Sequence, residues 1–394
     1  MDLIKKRKIL DILSKYKDSD QAIVLTGFRR VGKTTVMRQI YNSLPTQNKL
    51  YLDLESLINQ RLFADENYDN IKLKLEAEGL NFNEKAYVFL DEIQSVKNLP
   101  SIVKYLHDHL GIKFYLTGSS SFYLKNNFSE SMSGRKFLFE LLPLDFEEFL
   151  WFKDQKLLTN SDYGLLIEYY REYLQYGGFP AVVLSQTKEE KIMNLDEALS
   201  SYFRLDVTKM ANFHDNQKLK ELLFLLTSRI GSKPEINKLA ESLNVTRQTV
   251  SQYLSFFEQT YLINFLRPVS GSTDITIKTT PKIYFGDTGL LNRVGQVGIG
   301  HVFENKVFNQ LHTRLVYEEG ISKLSEDLNY YQTKSGLEID FVYKQKLGYE
   351  VKIKAGSFDV ITAQKTATKA GLSDIKVISL EKSEKEGIIT PFAL

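Results

Sequence analysis

The chain has 394 residues, 43% of them hydrophobic and 25% charged, with a formal net charge of +2 and no cysteine. Such a length predicts about two to four domains, the composition excludes wholesale disorder, and the near balance of charge leaves any nucleic-acid affinity to local patches. The missing cysteines exclude disulfides, thiolate zinc sites and cysteine nucleophiles and fit a reducing cytoplasm, while no apolar run approaches the roughly 18 residues that span a bilayer.

The first segment, MDLIKKRKILDIL, reads as an amphipathic helix rather than a signal peptide, for want of an adequate apolar stretch. The apolar run AIVLT follows and leads directly into GFRRVGKT, Gly27 to Thr34. This is the strand, GxxxxGK[ST], helix pattern of a nucleotide-triphosphate P-loop. Gly27 and Gly32 let the backbone curl so that successive N–H groups face a phosphate chain. Lys33 is placed to reach the terminal phosphates and Thr34 to give its hydroxyl to Mg²⁺, with the helix opened by Thr34 and Thr35 aiming its positive end at the anion. Arg29, Arg30 and Val31 complete the nucleotide-contacting loop.

AYVFLDEIQ, residues 86 to 94, is an apolar run ending in two adjacent carboxylates, the form of a Walker B strand. Asp91 would hold Mg²⁺ through its water shell, and Glu92 would polarise the water attacking the γ-phosphate. In FYLTGSSS, residues 114 to 121, another apolar strand stops in hydroxyls. Ser119 or Thr117 would touch the γ-phosphate or the attacking water, or these serines simply cap a helix. β-runs at 22 to 26, 48 to 54, 86 to 91, 112 to 117 and 136 to 141 alternate with helical stretches, which predicts a parallel α/β sheet with helices on both faces over residues 1–150. Arg135, in SMSGRKF between the last two runs, is open to two readings: an arginine finger on a neighbouring subunit's nucleotide, or a surface cation.

Residues 151–215 turn helical, with a Gly-Gly-Phe-Pro break in YLQYGGFPAVV, and are expected to form a lid or connector. From Lys233 the pattern predicts a short helix, a turn at Leu243 to Val245 and a second helix beginning at Thr246, within a helix-turn-helix unit over 216–285. Leu239, Leu243, Val250, Leu254 and Phe257 have the spacing of its core. Thr246, Arg247, Gln248, Ser251 and Gln252 would then present a polar face suited either to phosphates and base edges or to docking another protein.

Residues 286–394 carry a different pattern. EIDFVYKQKLGYEVKIK reads as two alternating strands joined by a turn near Lys346 to Gly348, with Glu350 and Lys352 on one face and Asp340 roughly opposite Lys352 and diagonal to Glu350, within a residue of register. Glu304, on an expected amphipathic helix in GHVFENKVFNQLHTRL, would add a carboxylate. Such a cluster holds a divalent metal for phosphodiester chemistry, or it is a salt-bridged strand face. The five histidines make no metal-ligand spacing and are expected to be structural or solvated.

Taken in order, GFRRVGKTT, FLDEIQ, LTGSSS, SGRKF with LLPLDFEEFL, YGGFP, the helix-turn-helix, GHVFEN, and EIDFV with YEVK resemble one known family over nearly the whole chain. It comprises prokaryotic AAA-plus-type ATPases whose C-terminal region of unknown function joins a winged helix to a restriction-endonuclease-like (PD-D/ExK) α/β fold. The resemblance implies Mg-nucleotide binding by Lys33, Thr34 and Asp91, hydrolysis through Glu92, a sensor at Ser119, and a nuclease-like site at Glu304, Asp340, Glu350 and Lys352, with Asp340 and Glu350 as metal ligands. Gln332, in YYQTKSG, stands where an arginine is expected. The expected activity is Mg²⁺-dependent ATP hydrolysis in the cytoplasm, coupled to DNA binding and to metal-dependent cleavage, with a homo-oligomer as one possibility and no membrane partner. The competing expectations are a nucleotide-dependent DNA- or protein-binding switch with an inert nuclease-like domain, and a chaperone or signalling adaptor with no nucleic acid at all.

Overall fold

The computed structural model describes residues 5–118, 132–156, 162–208, 216–269, 280–319, 327–333 and 335–394. Its contacts gather into two compact units, Met1–Leu142 with Gln259–Tyr261, and Pro143–Glu258 with Leu262–Leu394.

The first unit is built on a five-stranded sheet, β1 (Ala22–Thr26), β2 (Lys49–Asp53), β3 (Tyr87–Asp91), β4 (Lys113–Gly118) and β5 (Lys136–Glu140), in the order β2-β3-β4-β1-β5. Every pairing is parallel, as the alternation of apolar runs and helices predicts. Parity along the strands separates two faces. Tyr51, Phe89 and Tyr115 lie in register on one of them, with the Phe89 and Tyr115 rings stacked at 4.5 Å. Tyr41 of α2 (Lys33–Ser43), following α1 (Ile9–Ser14), packs edge-on against Phe89 there. Val24, Leu52, Leu90 and Leu116 occupy the other face and join a core with Ile71 and Leu75 of α4 (Tyr68–Ala77) and Ile102, Val103 and Leu106 of α5 (Leu99–Leu110). The short α3 (Leu57–Leu62) precedes α4.

The second unit begins with helices α6 (Phe146–Phe152), α7 (Tyr163–Tyr176), α8 (Pro180–Leu184) and α9 (Lys188–Ser201). The Gly-Gly-Phe-Pro break between α7 and α8 has a steric reason: a Cβ on Gly177 would stand 1.9 Å from an oxygen of Asp287. That buried carboxylate accepts from the backbone N–H of Gly178 at 2.8 Å and caps α13 (Thr288–Val294) through Gly289 and Leu290. Before it come α10 (Asn216–Thr227), α11 (Ile236–Leu243) and α12 (Arg247–Gln259), the last two joined through Asn244 in the left-handed region. All five residues expected in the helix-turn-helix core are buried.

A seven-stranded mixed sheet follows, in the order β12-β11-β10-β9-β8-β6-β7. It consists of β6 (Ile263–Pro268), β7 (Lys282–Phe285), β8 (Leu328–Gln332), β9 (Glu338–Tyr343), β10 (Leu347–Lys352), β11 (Asp374–Ser379) and β12 (Ile388–Ile389). Parallel pairing of β6 with β8 makes residues from both sides of the expected boundary at 285/286 share one sheet. The 21-residue α14 (Ile299–Glu319) differs from the expected amphipathic helix. Apolar Phe303, Phe308 and Leu315 are buried on it together with polar Asn305, Lys306 and His312, so it is enclosed on several sides, and Asn305 meets its polar demand on the Phe285 backbone. Helix α15 (Ser357–Ala370) links β10 to β11.

Candidate nucleotide site and the C-terminal acidic cluster

Because the strands run parallel, the carboxyl ends of β1, β3 and β4 lie along one sheet edge, where the P-loop, the Asp91–Glu92 pair and Thr117 come together. Gly27 has φ +150°, and a Cβ on it would stand 2.1 Å from the carbonyl oxygen of Leu141. Arg30 and Gly32 also have positive φ, the alternation that turns consecutive N–H groups toward a common centre. Val31 is fully buried under the loop, whereas Arg30, Thr34 and Thr35 are exposed. The Lys33 ammonium donates to the carbonyls of Gly27 and Phe28, both at 2.9 Å.

Asp91 is buried and its two oxygens accept from hydroxyls, Tyr51 at 2.8 Å on one and Thr117 on the other. Burial, and then the neighbouring Asp91 charge, drives the Tyr51 hydroxyl well above its usual range, so it stays protonated and can only donate. Thr117 also accepts from the Glu92 backbone at 3.3 Å. Glu92 sits in the left-handed region, which turns its carboxylate away from the strand. There it meets the Gln94 amide and, at 3.9 Å, the guanidinium of Arg29, which lies equally far from Glu55. An ammonium, an exposed hydroxyl and a carboxylate oriented by neutral donors beside a curled main chain are the donor set that a Mg²⁺-bound triphosphate needs, and the residues present fit it.

Ser119 lies outside the described residues. Arg135 is at the amino-terminal edge of the sheet, since its carbonyl accepts from Ala22 at the start of β1, and its guanidinium pairs with Asp108 at 2.7 Å. That is the edge opposite this chain's own P-loop. Sequence reasoning missed Tyr51 and Arg7. The buried Arg7 guanidinium donates to the carbonyls of Val31 and Leu142, both at 2.8 Å, and so ties the P-loop to the chain leaving β5.

In the second unit, β9 and β10 are antiparallel with Tyr349 level with Phe341, so the register continues to Glu350 against Asp340 rather than Lys352 against Asp340. The turn spans Lys344 to Lys346, with Lys344 and Gln345 at positive φ, so of the expected Lys346 to Gly348 only Lys346 belongs to it. Asp340 accepts from the Val351 N–H at 2.8 Å, and Lys352 donates to Glu350 at 2.8 Å. Glu304 accepts from the Tyr284 hydroxyl at 2.7 Å. Burial, reinforced by the Asp340 charge, raises both Glu304 and Glu350 to about 7, and burial raises Asp340 as well.

Two residues not expected in the site, Lys282 and Glu338, complete the cluster. Lys282 of β7 pairs with Glu338 and stands 4.0 Å from Glu304, while Gln332 donates to the other oxygen of Glu338 at 2.7 Å. Among the described residues no three acidic or imidazole side chains gather so as to hold a metal. Asp340 and Glu350, the expected metal ligands, have the Val351 N–H and the Lys352 ammonium as partners.

Thr246, just before α12, and Arg247, Gln248, Ser251 and Gln252 on it are exposed to solvent. Among the described residues no helix is long and apolar enough to cross a membrane.

Comparison with known proteins matches residues 19–150 to an AAA domain and residues 167–300 to a domain of unknown function (DUF8612). An uncharacterized protein of Methanocaldococcus jannaschii, MJ1544, is 31% identical over 355 residues, covering 87% of this chain and 76% of its own. An uncharacterized protein of Haemophilus influenzae is 28% identical over 356 residues, covering 87% and 84%. Among solved structures, the Orc1 protein of Aeropyrum pernix in complex with DNA is similar at 12% identity and a TM-score of 0.35, over 75% of this chain and 93% of that one.

Proposed function

The chain belongs to the family of the archaeal protein MJ1544, with an AAA domain over residues 19–150, and we propose that it is an ATP-hydrolysing switch whose second unit engages DNA. The observation that carries the ATPase reading is the meeting, on one sheet edge, of the Lys33 ammonium, the Thr34 hydroxyl and the Asp91–Glu92 pair. Lys33 exchanges the carbonyls of Gly27 and Phe28 for the terminal phosphates, and the N–H groups from Gly27 through Thr35 take the remaining oxygens. Thr34 and Asp91 would hold Mg²⁺, which when bound would neutralise charge developing on the phosphate oxygens. Tyr51 and Thr117 keep the Asp91 carboxylate aimed. Glu92 orients the attacking water and accepts its proton, steadied meanwhile by Arg29.

DNA engagement rests on the exposed face of α12, where a guanidinium, two amides and two hydroxyls lie on consecutive turns. In this reading the region from α10 through β7 acts as a winged helix and the C-terminal strands as a nuclease-like fold that binds without cutting.

Phosphate release and labelled-ATP binding test the first half. Glu92→Gln should bind ATP and turn over at least ~100-fold more slowly, while Lys33→Ala should lose binding. Turnover untouched by both substitutions would falsify the assignment. Filter retention of duplex DNA between roughly 50 and 200 mM salt tests the second half, with Arg247→Ala expected to lower the salt slope by about 1. Retention that is absent, or indifferent to salt, moves the protein to the chaperone or adaptor class.

A further inference from the structure

The C-terminal cluster brings four carboxylates together from three elements: Glu304 on α14, Glu338 and Asp340 on β9, and Glu350 on β10. Like charges gathered in a half-buried cluster are stabilised by a cation among them. The Lys282 side chain enters from β7 and is only 5% exposed. It bonds to Glu338, lies 4.0 Å from Glu304 and feels the charge of Asp340. The Lys352 ammonium serves Glu350 in the same way, at 2.8 Å.

Neutral donors reach the cluster as well. Gln332 takes the free oxygen of Glu338, and Lys233 in turn donates to Gln332 at 2.7 Å. Tyr284 takes an oxygen of Glu304, and the Val351 N–H takes one of Asp340. Mg²⁺ requires octahedral oxygen ligands and retains several waters. Here the Lys282 ammonium already holds Glu338 and stands beside Glu304, and the Lys352 ammonium holds Glu350.

We infer that Lys282 is the resident cation of this cluster, held by Glu338 and beside Glu304, and that while it is in place the four carboxylates are closed to a divalent metal. The inference concerns the second unit alone and stands whether or not the P-loop turns over ATP. Lys282 comes from the strand next to the helix-turn-helix, and its pairing with β9 and α14 fastens that element to the C-terminal strands. The cation thus has a structural task that a diffusible metal would perform only when bound.

Electron paramagnetic resonance of Mn²⁺ added to the nucleotide-free full chain tests this, with Asp91→Asn as a control for the P-loop. Wild type should take up no Mn²⁺ that Asp340→Asn abolishes. Asp340-dependent uptake by wild type would overturn the inference. Lys282→Ala should acquire one Mn²⁺ per chain, lost again in the double variant with Asp340→Asn, and its melting temperature should rise on adding Mn²⁺. A folded Lys282→Ala chain that gains no site also overturns the inference. If Lys282→Ala does not fold, the wild-type and Asp340→Asn titrations decide alone. Lys282→Arg, which keeps the charge, should behave as wild type.

Discussion

Gly27 offers a sharp test of the phosphate cradle, because two glycines of the same unit separate its two costs. Gly27→Ala places a methyl group 2.1 Å from the Leu141 carbonyl oxygen at φ +150°, whereas Gly79→Ala has φ +100° and nothing within 4 Å of the new atom. Conformational strain alone should cost about 1–2 kcal/mol and is present in both. Gly27→Ala adds a contact far inside the ~3.5 Å of ordinary van der Waals approach. The link most directly in the way of relief is the bond from the Leu141 N–H to the Thr26 carbonyl, 2.8 Å long, which closes the β1–β5 ladder. Breaking it leaves two buried backbone groups unpaired, about 1–3 kcal/mol more. Gly27→Ala should therefore exceed Gly79→Ala by roughly 2–3 kcal/mol. The single tryptophan, Trp151, lies in the second unit, so its fluorescence will not read this. Hydrogen exchange on peptides from β1 and β5 will, alongside the affinity for a fluorescent ATP analogue. Gly79→Ala should keep its affinity and Gly27→Ala should lose at least ~30-fold, the equivalent of about 2 kcal/mol. Equal exchange protection and equal affinity in the two variants would refute the close approach of loop and strand.

Tyr51→Phe removes one donor from Asp91, and the loss of about 1–1.5 kcal/mol should weaken Mg-ATP binding some 5–10-fold while leaving Mg-free ATP binding unchanged. A like change in both would show that Tyr51 does not act through Asp91. His312 is fully buried and burial holds it down at about 4, so in the folded chain it stays neutral where the unfolded chain is already protonated. The stability it confers is complete above pH ~6.5 and is lost as pH falls toward 4, about 3 kcal/mol in all. Urea midpoints measured across that window should flatten in His312→Gln, and an unchanged slope would contradict the assignment.

The nucleotide half was legible because its signals are local. A glycine pair, a lysine and apolar runs ending in acids each occupy fewer than ten residues, and the backbone strain of a P-loop admits few other side chains. Arg7 and Tyr51 escaped because each acts across more than twenty residues, and one arginine in KKRKIL has no mark distinguishing it from its neighbours. The C-terminal hairpin was misplaced for a related reason. Gly348 suggested the turn, yet it lies inside β10, where a Cβ would be 3.0 Å from the Ile375 side chain, so the glycine is there for packing. The turn itself uses Lys344 and Gln345 in a conformation that neither residue advertises. Lys282 was missed because nothing in PKIYF tells an interior lysine from a surface one until the strand is paired.

The two acidic sites of this chain differ in the kind of donor each carboxylate has been given, and that difference bears on what each can bind. Asp91 is held by a tyrosine and a threonine hydroxyl, which fix its orientation while leaving its negative charge in place. A carboxylate so treated attracts an external cation, and the exposed hydroxyl of Thr34 completes the invitation. Glu338 and Glu350 are held by ammonium groups, which cancel the charge as they fix the position. Displacing Lys282 from the interior would cost the desolvation of a lone ammonium or a lone carboxylate, several kcal/mol in either direction. A metal arriving from solution must exceed that cost as well as shed its own water. The carboxylates of the two units thus differ in partner, hydroxyls from β2 and β4 around Asp91 and ammonium groups from β7 and β10 around Glu338 and Glu350.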